Sequence, residues 1–203
     1  MRKVDQIKHE ERRQQILQSA ALCFARDGFR GASISEICAE AKMSSGHLYH
    51  YFPSKEAIVS AMTEGSLGRA AEHFERLMQS PDLIHAFITE ITKAKRGLIS
   101  QSLVFDVLAE AGRNTKLAEI LRQHTIALRA LLADFLRKAQ VQGRINSELN
   151  AEMTAAVLMA IFDGARTMLV RDPQLDKRDS ADYLELLVTR FLTLQDSGQS
   201  VKG

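Results

Sequence analysis

From Ser33 to Phe52 the chain reads SISEICAEAKMSSGHLYHYF, and this run restricts the fold more than any other stretch. Ser33 followed by Glu36 makes a capping box, whose two side chains satisfy free amide donors at a helix start. Ile34, Ile37, Cys38 and Ala41 then recur at the spacing of one helix face, so this first short helix has an apolar stripe to bury. A second cap follows at Ser44. Met43 before it and Leu48 four positions inside are placed for a hydrophobic staple. The second helix buries Leu48 and Phe52 and leaves Ser45, Gly46, His47, Tyr49 and His50 to face outward. No acidic residue occurs between Lys42 and Lys55. Two packed helices, the second polar-tipped and free of carboxylates, outline a helix-turn-helix of the kind that enters the major groove of DNA.

The flanks extend the pattern. Residues 1–6 read as a loose arm of mixed charge, followed by a helix with Leu17, Ala20, Ala21 and Phe24 inward. Gly28 is a natural stop for it after Asp27, and Phe29 can fold back on it. Pro53 ends the second short helix, and Ser54 caps a new one that begins at Lys55, carries Ile58, Val59 and Met62 inward and runs to about residue 80. Further helices are expected over about 82–97, 98–111, 115–142 and 181–195, with one more running from a cap at Asn150 to about 170. The one opening at Asn114 spans roughly 42 Å at 1.5 Å per residue. No strand-like alternation with turn signals occurs, and only 3 of 203 residues are proline, so the expected fold is all-α. The expected division is a three-helix DNA-binding domain over residues 1–54 and a larger helical effector-binding and dimerisation domain over 55–203.

Composition narrows the function. A formal net charge of +2 is too weak for a polyelectrolyte, so any nucleic-acid site must be local. No apolar run approaches the roughly 18 residues of a membrane span, and no signal core opens the chain, so the expectation is a cytoplasmic protein without membrane attachment. Cys23 and Cys38 lack zinc-ligand spacing and sit on apolar helix faces as small core residues. A Gly-rich phosphate loop, a Gly-x-Ser-x-Gly elbow and paired histidines at metal spacing are all missing from the sequence. Neither a catalytic residue, a cofactor nor a metal is expected. A helical enzyme or lipid-binding module is the rival class, and a salt-dependent shift of promoter DNA separates it from a regulator.

At Leu48-Tyr49-His50-Tyr51-Phe52-Pro53-Ser54-Lys55-Glu56, preceded by Ser44-Ser45-Gly46, the chain resembles the TetR family of bacterial transcriptional regulators. Arg13, Ile16 through Gly28-Phe29, and Ser33-Ile34 fit the family's first helix and its exit. The resemblance spans about residues 10–62 and is architectural beyond them. Two departures stand out. Lys42 occupies a turn position where the family often has Gly; a left-handed Lys there costs about 1 kcal/mol, and the alternative is a turn built differently. His47 stands where a small residue such as Thr is common, which bears on the DNA sequence preferred.

The resemblance implies base or phosphate contacts from the residues matching Tyr49, His50 and Tyr51. Ser44, Ser45, Gly46 and His47 complete the candidate face, with Lys55 and Ser33 as phosphate contacts. It also implies a homodimer on a palindromic operator, acting as a repressor that a small hydrophobic or amphipathic effector releases. Control by a partner protein or by thiol oxidation is the alternative. Candidates for the effector site are Phe87, Ile91, Phe105, Leu108, Leu121, His124, Phe162, Asp163 and Arg166. For the apolar ones the competing role is ordinary core. Asp163 and Arg166, three apart on an oily helix, pair with each other or anchor a polar group. The final helix has two apolar faces, Leu184, Leu187, Val188 and Phe191 on one and Tyr183, Leu186 and Leu194 on the other. A terminal helix needs only one buried stripe, so two apolar faces mean either a central place in the core or a partner subunit. A two-fold dimer through the last two helices, which the resemblance also implies, is the preferred reading, with the first set as the candidate interface.

Overall fold

Apolar residues that return every three or four positions, with caps at the breaks, set the architecture. The computed structural model describes residues 2–93, 101–172, 174–175 and 177–193. Among them every regular element is a helix: α1 (Arg2–Gly31), α2 (Ile34–Glu40), α3 (Ser45–Tyr51), α4 (Lys55–Leu77), α5 (Leu83–Lys93), α6 (Gln101–Ala111), α7 (Thr115–Val141), α8 (Ala151–Arg171) and α9 (Lys177–Leu192). The all-α reading holds. The expected ends near 97 and 195 and the expected start at 98 lie outside the described residues, as does Leu194.

The chain parts into two compact units, residues 1–68 with 95–125 and residues 69–94 with 126–203. In the first, Ile16, Phe24, Ile37, Leu48 and Ile58 are sealed from solvent. Leu103 and Val107 of α6 and Leu117 of α7 belong to the same core. The packing unit around the three N-terminal helices is therefore larger than residues 1–54, because α6 lies against α1 and supplies apolar surface that those helices lack. The N-terminal segment differs from the expected loose arm. It is helical from Arg2, with Glu10 accepting from the Gln14 amide at 2.7 Å one turn on. The first helix does stop at Gly28, which leaves the helical region at φ 73° and ψ 168°, and a further helical turn runs on to Gly31.

In the second unit Phe74, Phe87, Phe135 and Phe162 form an aromatic centre. Ring centroids lie 5.0 Å apart for Phe74–Phe135, 5.4 Å for Phe87–Phe135 and 5.8 Å for Phe87–Phe162. α9 packs on α5 and α8. α7 ends as its sequence dictates: Gly143 takes φ 66° and the Arg144 N–H reaches back to the Ala139 carbonyl at 3.0 Å, which satisfies the last free carbonyls. The Arg144 guanidinium then donates to the carbonyls of Met78 (3.0 Å), Pro81 (3.1 Å) and Ser80, holding the chain where it leaves α4. That turn closes α4 at Leu77, short of the expected residue 80. Asn114 and Asn150 cap α7 and α8, accepting from Leu117 and Met153 at 3.1 and 3.0 Å.

Candidate nucleic-acid interface

The capping box at Ser33 forms in full. The Ser33 hydroxyl accepts from the Glu36 amide at 3.2 Å, and Glu36 accepts from the Ser33 amide at 2.6 Å and hydroxyl at 2.7 Å. Those two Ser33 bonds hold the Glu36 carboxyl below its ordinary range. Ser33 is thus engaged in its cap, with Ser35 a further 2.9 Å neighbour. The turn that follows puts Lys42 at φ 52°, the left-handed conformation foreseen as one of two alternatives. Gln15 of α1 braces it from below, donating to the Ala41 carbonyl at 2.9 Å.

Ser44 then caps α3, accepting from the His47 amide at 3.3 Å. Leu48 and Phe52 are buried and Met43 packs beside them, as the staple requires. Ser45, Gly46, His47, Tyr49 and His50 are exposed, and nothing lies within 4 Å of the position a Gly46 Cβ would take. Tyr51 is half-buried and packs on the core, with three imidazoles around its ring: His9 at 4.6 Å, His47 at 5.5 Å and His50 at 5.6 Å between centroids. Sequence reading missed His9. Its spacing on α1 carries no signal, and the ring is brought to α3 only by packing.

The Lys55 ammonium is engaged inward. It donates to the carbonyls of Phe29 at 2.7 Å and Ala32 at 2.8 Å, with Arg30 at 3.4 Å, and lies 4.8 Å from the centre of the Phe29 ring. Beside it Glu56 accepts from the Asn114 amide at 2.8 Å. Burial pushes the Glu56 carboxyl up, but its own backbone amide, Asn114, Ser54 and the Lys55 charge together bring it below its ordinary value.

The effector candidates divide between the two units. Phe87 and Phe162 are packed in the core of the second unit, while Phe105 and Leu108 are exposed on α6 of the first. Leu121 packs against the first unit's core, and His124 Nε2 lies 3.4 Å from the Ser66 hydroxyl. The side chain of Ile91 lies outside the described residues. Asp163 and Arg166 form an ion pair at 3.6 Å. The second unit does hold an open groove of about 480 Å³ between α4 and α7, floored by Phe74, Met78, Leu131 and Phe135 and rimmed by Glu75, Asp134, Arg137 and Lys138. Close by in sequence, His73 has its Nε2 buried without a hydrogen-bond partner among the described residues.

On α9, Leu184 and Phe191 pack against the second unit's core and Leu187 is half exposed. Val188 has no exposed surface, which removes it from any face a second chain can touch. The exposed apolar stripe runs instead through Tyr183, Leu186 and Leu187, and α8 adds Met153, Val157 and Met168 at one-face spacing with the small Ala160 and Gly164 between. The sequence pointed to this helix as part of a dimer but named no interface residues on it, because it is apolar almost all round.

A capped pair of short helices over an apolar base, with an outward face of small polar and aromatic residues, defines a helix-turn-helix transcriptional regulator. Known proteins agree. Residues 16–62 match the model of bacterial regulatory proteins of the tetR family, and residues 82–194 match that of the BetI-type transcriptional repressor C-terminal region. The chain is 28% identical over 182 residues to the HTH-type transcriptional regulator UidR of Escherichia coli K12, spanning 89% of this chain and 93% of that one. It is 31% identical over 157 residues to the HTH-type regulator YdgC of Bacillus subtilis, spanning 75% and 78%. The structure of Salmonella enterica GusR superposes with a TM-score of 0.76 at 31% identity, covering 90% of this chain and 95% of that one. The chain belongs to the TetR family of bacterial transcriptional regulators, proteins that bind DNA and form dimers and are not enzymes.

Proposed function

We propose that this regulator is a cytoplasmic repressor that binds a palindromic operator as a homodimer and is released by a small hydrophobic or amphipathic effector. The observation that carries the DNA part is the exposed, carboxylate-free face of α3. His47, Tyr49 and His50 read bases there, while the amides and hydroxyls of Ser44 and Ser45 and the bare backbone at Gly46 approach the sugar-phosphate edge. Tyr51 and Ser33 act as phosphate neighbours that also hold the head together, and Lys55 acts mainly through the turn that it grips. In this division of labour residues 1–54 read DNA and 55–203 sense and dimerise. The match of residues 82–194 to a repressor model supports repression over activation.

Dimerisation is assigned to Leu187 with Tyr183 and Leu186, Leu184 and Phe191 beneath them, and the α8 stripe. The effector is assigned to the second unit, where the groove between α4 and α7 offers an apolar floor and a charged rim. Thiol control is the weaker reading: Cys23 and Cys38 are buried, and burial pushes the Cys23 thiol above its ordinary range despite Arg26 nearby. The test is a gel shift with the DNA flanking the gene, repeated across salt concentrations. A retarded band with a steep salt slope is expected, and binding to no flanking DNA overturns the reading.

A further inference from the structure

The turn between α1 and α2 is held by a charge at each of its ends, and one of these charges comes from α6. At Gly28 the backbone leaves the helical region, with φ 73° and ψ 168°, so residues 29–31 begin a new helical turn. The first amide of such a turn has no carbonyl behind it to pair with. The carboxylate of Asp106, 77 residues along the chain, accepts from that amide, the N–H of Phe29. At the far end the carbonyls of Phe29, Arg30 and Ala32 accept from the Lys55 ammonium. An acid at the start and a cation at the end both match the dipole of the turn.

The fit is tight on the α6 side. A Cβ on Gly28 would stand 3.2 Å from both oxygens of Asp106, close enough that the carboxylate would have to give by a few tenths of an ångström, and the positive φ favours glycine as well. Leu103 and Val107, on either side of Asp106 along α6, are buried in the same core as Phe24 and Phe29. The backbone that carries this carboxylate is therefore fixed by the packing of its own helix. The turn it caps ends at Ala32, and the next residue is Ser33, the cap of α2.

We propose that Asp106 is a positioning residue for DNA reading: through the turn 29–32 it sets where α2, and α3 with it, stand. The proposal rests on the reading of α3 as the element that enters DNA. It is tested on the full chain with Asp106→Ala, Asp106→Asn and, as a control on the same helix, Glu110→Gln. Three readouts are taken: the thermal transition, the amide resonances of Phe29 and of residues 45–51, and affinity for operator DNA. Asp106→Ala is expected to melt cooperatively, to move the Phe29 and α3 resonances and to weaken operator binding by about tenfold or more. Asp106→Asn keeps an acceptor oxygen and is expected to recover most of the affinity; Glu110→Gln is expected to change nothing. A folded Asp106→Ala with unaltered α3 resonances and unaltered operator affinity overturns the proposal. Should that variant fail to fold, Asp106→Glu decides, because its longer arm must displace the turn. Weaker operator binding with shifted α3 resonances then supports the proposal, and neither change overturns it. A parent chain that binds no operator defeats the reading of α3 alone, and the α3 resonances still support or overturn the role of Asp106.

Discussion

α3 and α9 both leave much of their surface exposed, but they leave different things exposed. α3 is seven residues long, buries Leu48, and turns outward a face of serine, glycine, histidine and tyrosine. α9 is sixteen residues long, buries Val188 and Leu192, and leaves Leu186, Leu187 and Tyr183 in water. A helix of seven residues has little stability of its own, so α3 depends on its cap, its staple and the braced turn before it. The first unit spends its polar groups on backbone: Ser33 and Glu36 on α2, Gln15 on Ala41, Lys55 and Asp106 on the turn after α1. That construction suits a rigid surface that meets DNA. The apolar stripe of α9 suits contact with another chain, since an apolar face gains by being covered and a polar one gains little.

The contrast within α9 gives the largest expected effect. Val188→Arg puts a charge into the chain's own core, where no partner is available, and should cost several kcal/mol. Leu187→Arg, one residue away and half exposed, should change the monomer's stability by less than about 0.5 kcal/mol while abolishing the dimer and tight operator binding. Thermal melts with sedimentation velocity separate the two. A Leu187→Arg chain that stays folded and dimeric returns that face to solvent.

On α3 the matching test is sequence preference. His47→Ala and Tyr49→Ala should each lose about 1–3 kcal/mol at particular half-site bases and little on unrelated DNA. A panel of operators with single base changes reads this directly. Equal weakening on every DNA would move the residue to the phosphate group.

How far the sequence foretold each helix follows from the kind of signal involved. α3 was readable because its caps, staple and missing carboxylates are local and fall within twenty residues; even the left-handed backbone at Lys42 was foreseen as an alternative. α9 was read as two-faced, but which face belongs to the chain's own core is decided by α5 and α8, and periodicity cannot say which neighbour arrives. Val188 was misassigned for that reason. The effector candidates were chosen as apolar residues on helices, yet Phe105 and Phe162 look alike in sequence and fall in different units. The aromatic centre needed Phe74 and Phe135, whose partners lie many turns away.

Lys55 shows the same limit at one residue. Its place at a helix start next to the reading head suggested a phosphate contact, and its ammonium is instead surrounded by carbonyls from residues 29–32. Lys55→Ala should therefore lower thermal stability by about 1.5 kcal/mol, the low end for charged hydrogen bonds because the site is partly exposed. It should weaken operator binding without changing the salt slope. Gel shifts at several salt concentrations decide this. A slope reduced by about one unit would restore a direct phosphate contact.

The smallest effect expected is one of pH, in the second unit. Burial holds the His73 imidazole below its ordinary range, Glu90 at 3.7 Å opposes this and Arg76 adds to it. The folded state therefore binds a proton less readily than the unfolded chain, whose imidazole titrates near about 6.5. Stability from this group is complete above that value and is lost as pH falls from it toward the folded value, because protons then favour the unfolded chain. The window lies above the range in which Glu36, Glu56 and Glu119, all held low, are protonated, so these three do not mask it. Melting temperatures of the parent and of His73→Phe at pH 7.5 and 5.5 provide the measurement, with both pH values chosen to bracket about 6.5. The parent should lose more on acidification than the variant. Equal losses would mean that the buried imidazole already takes its proton as readily as an exposed one.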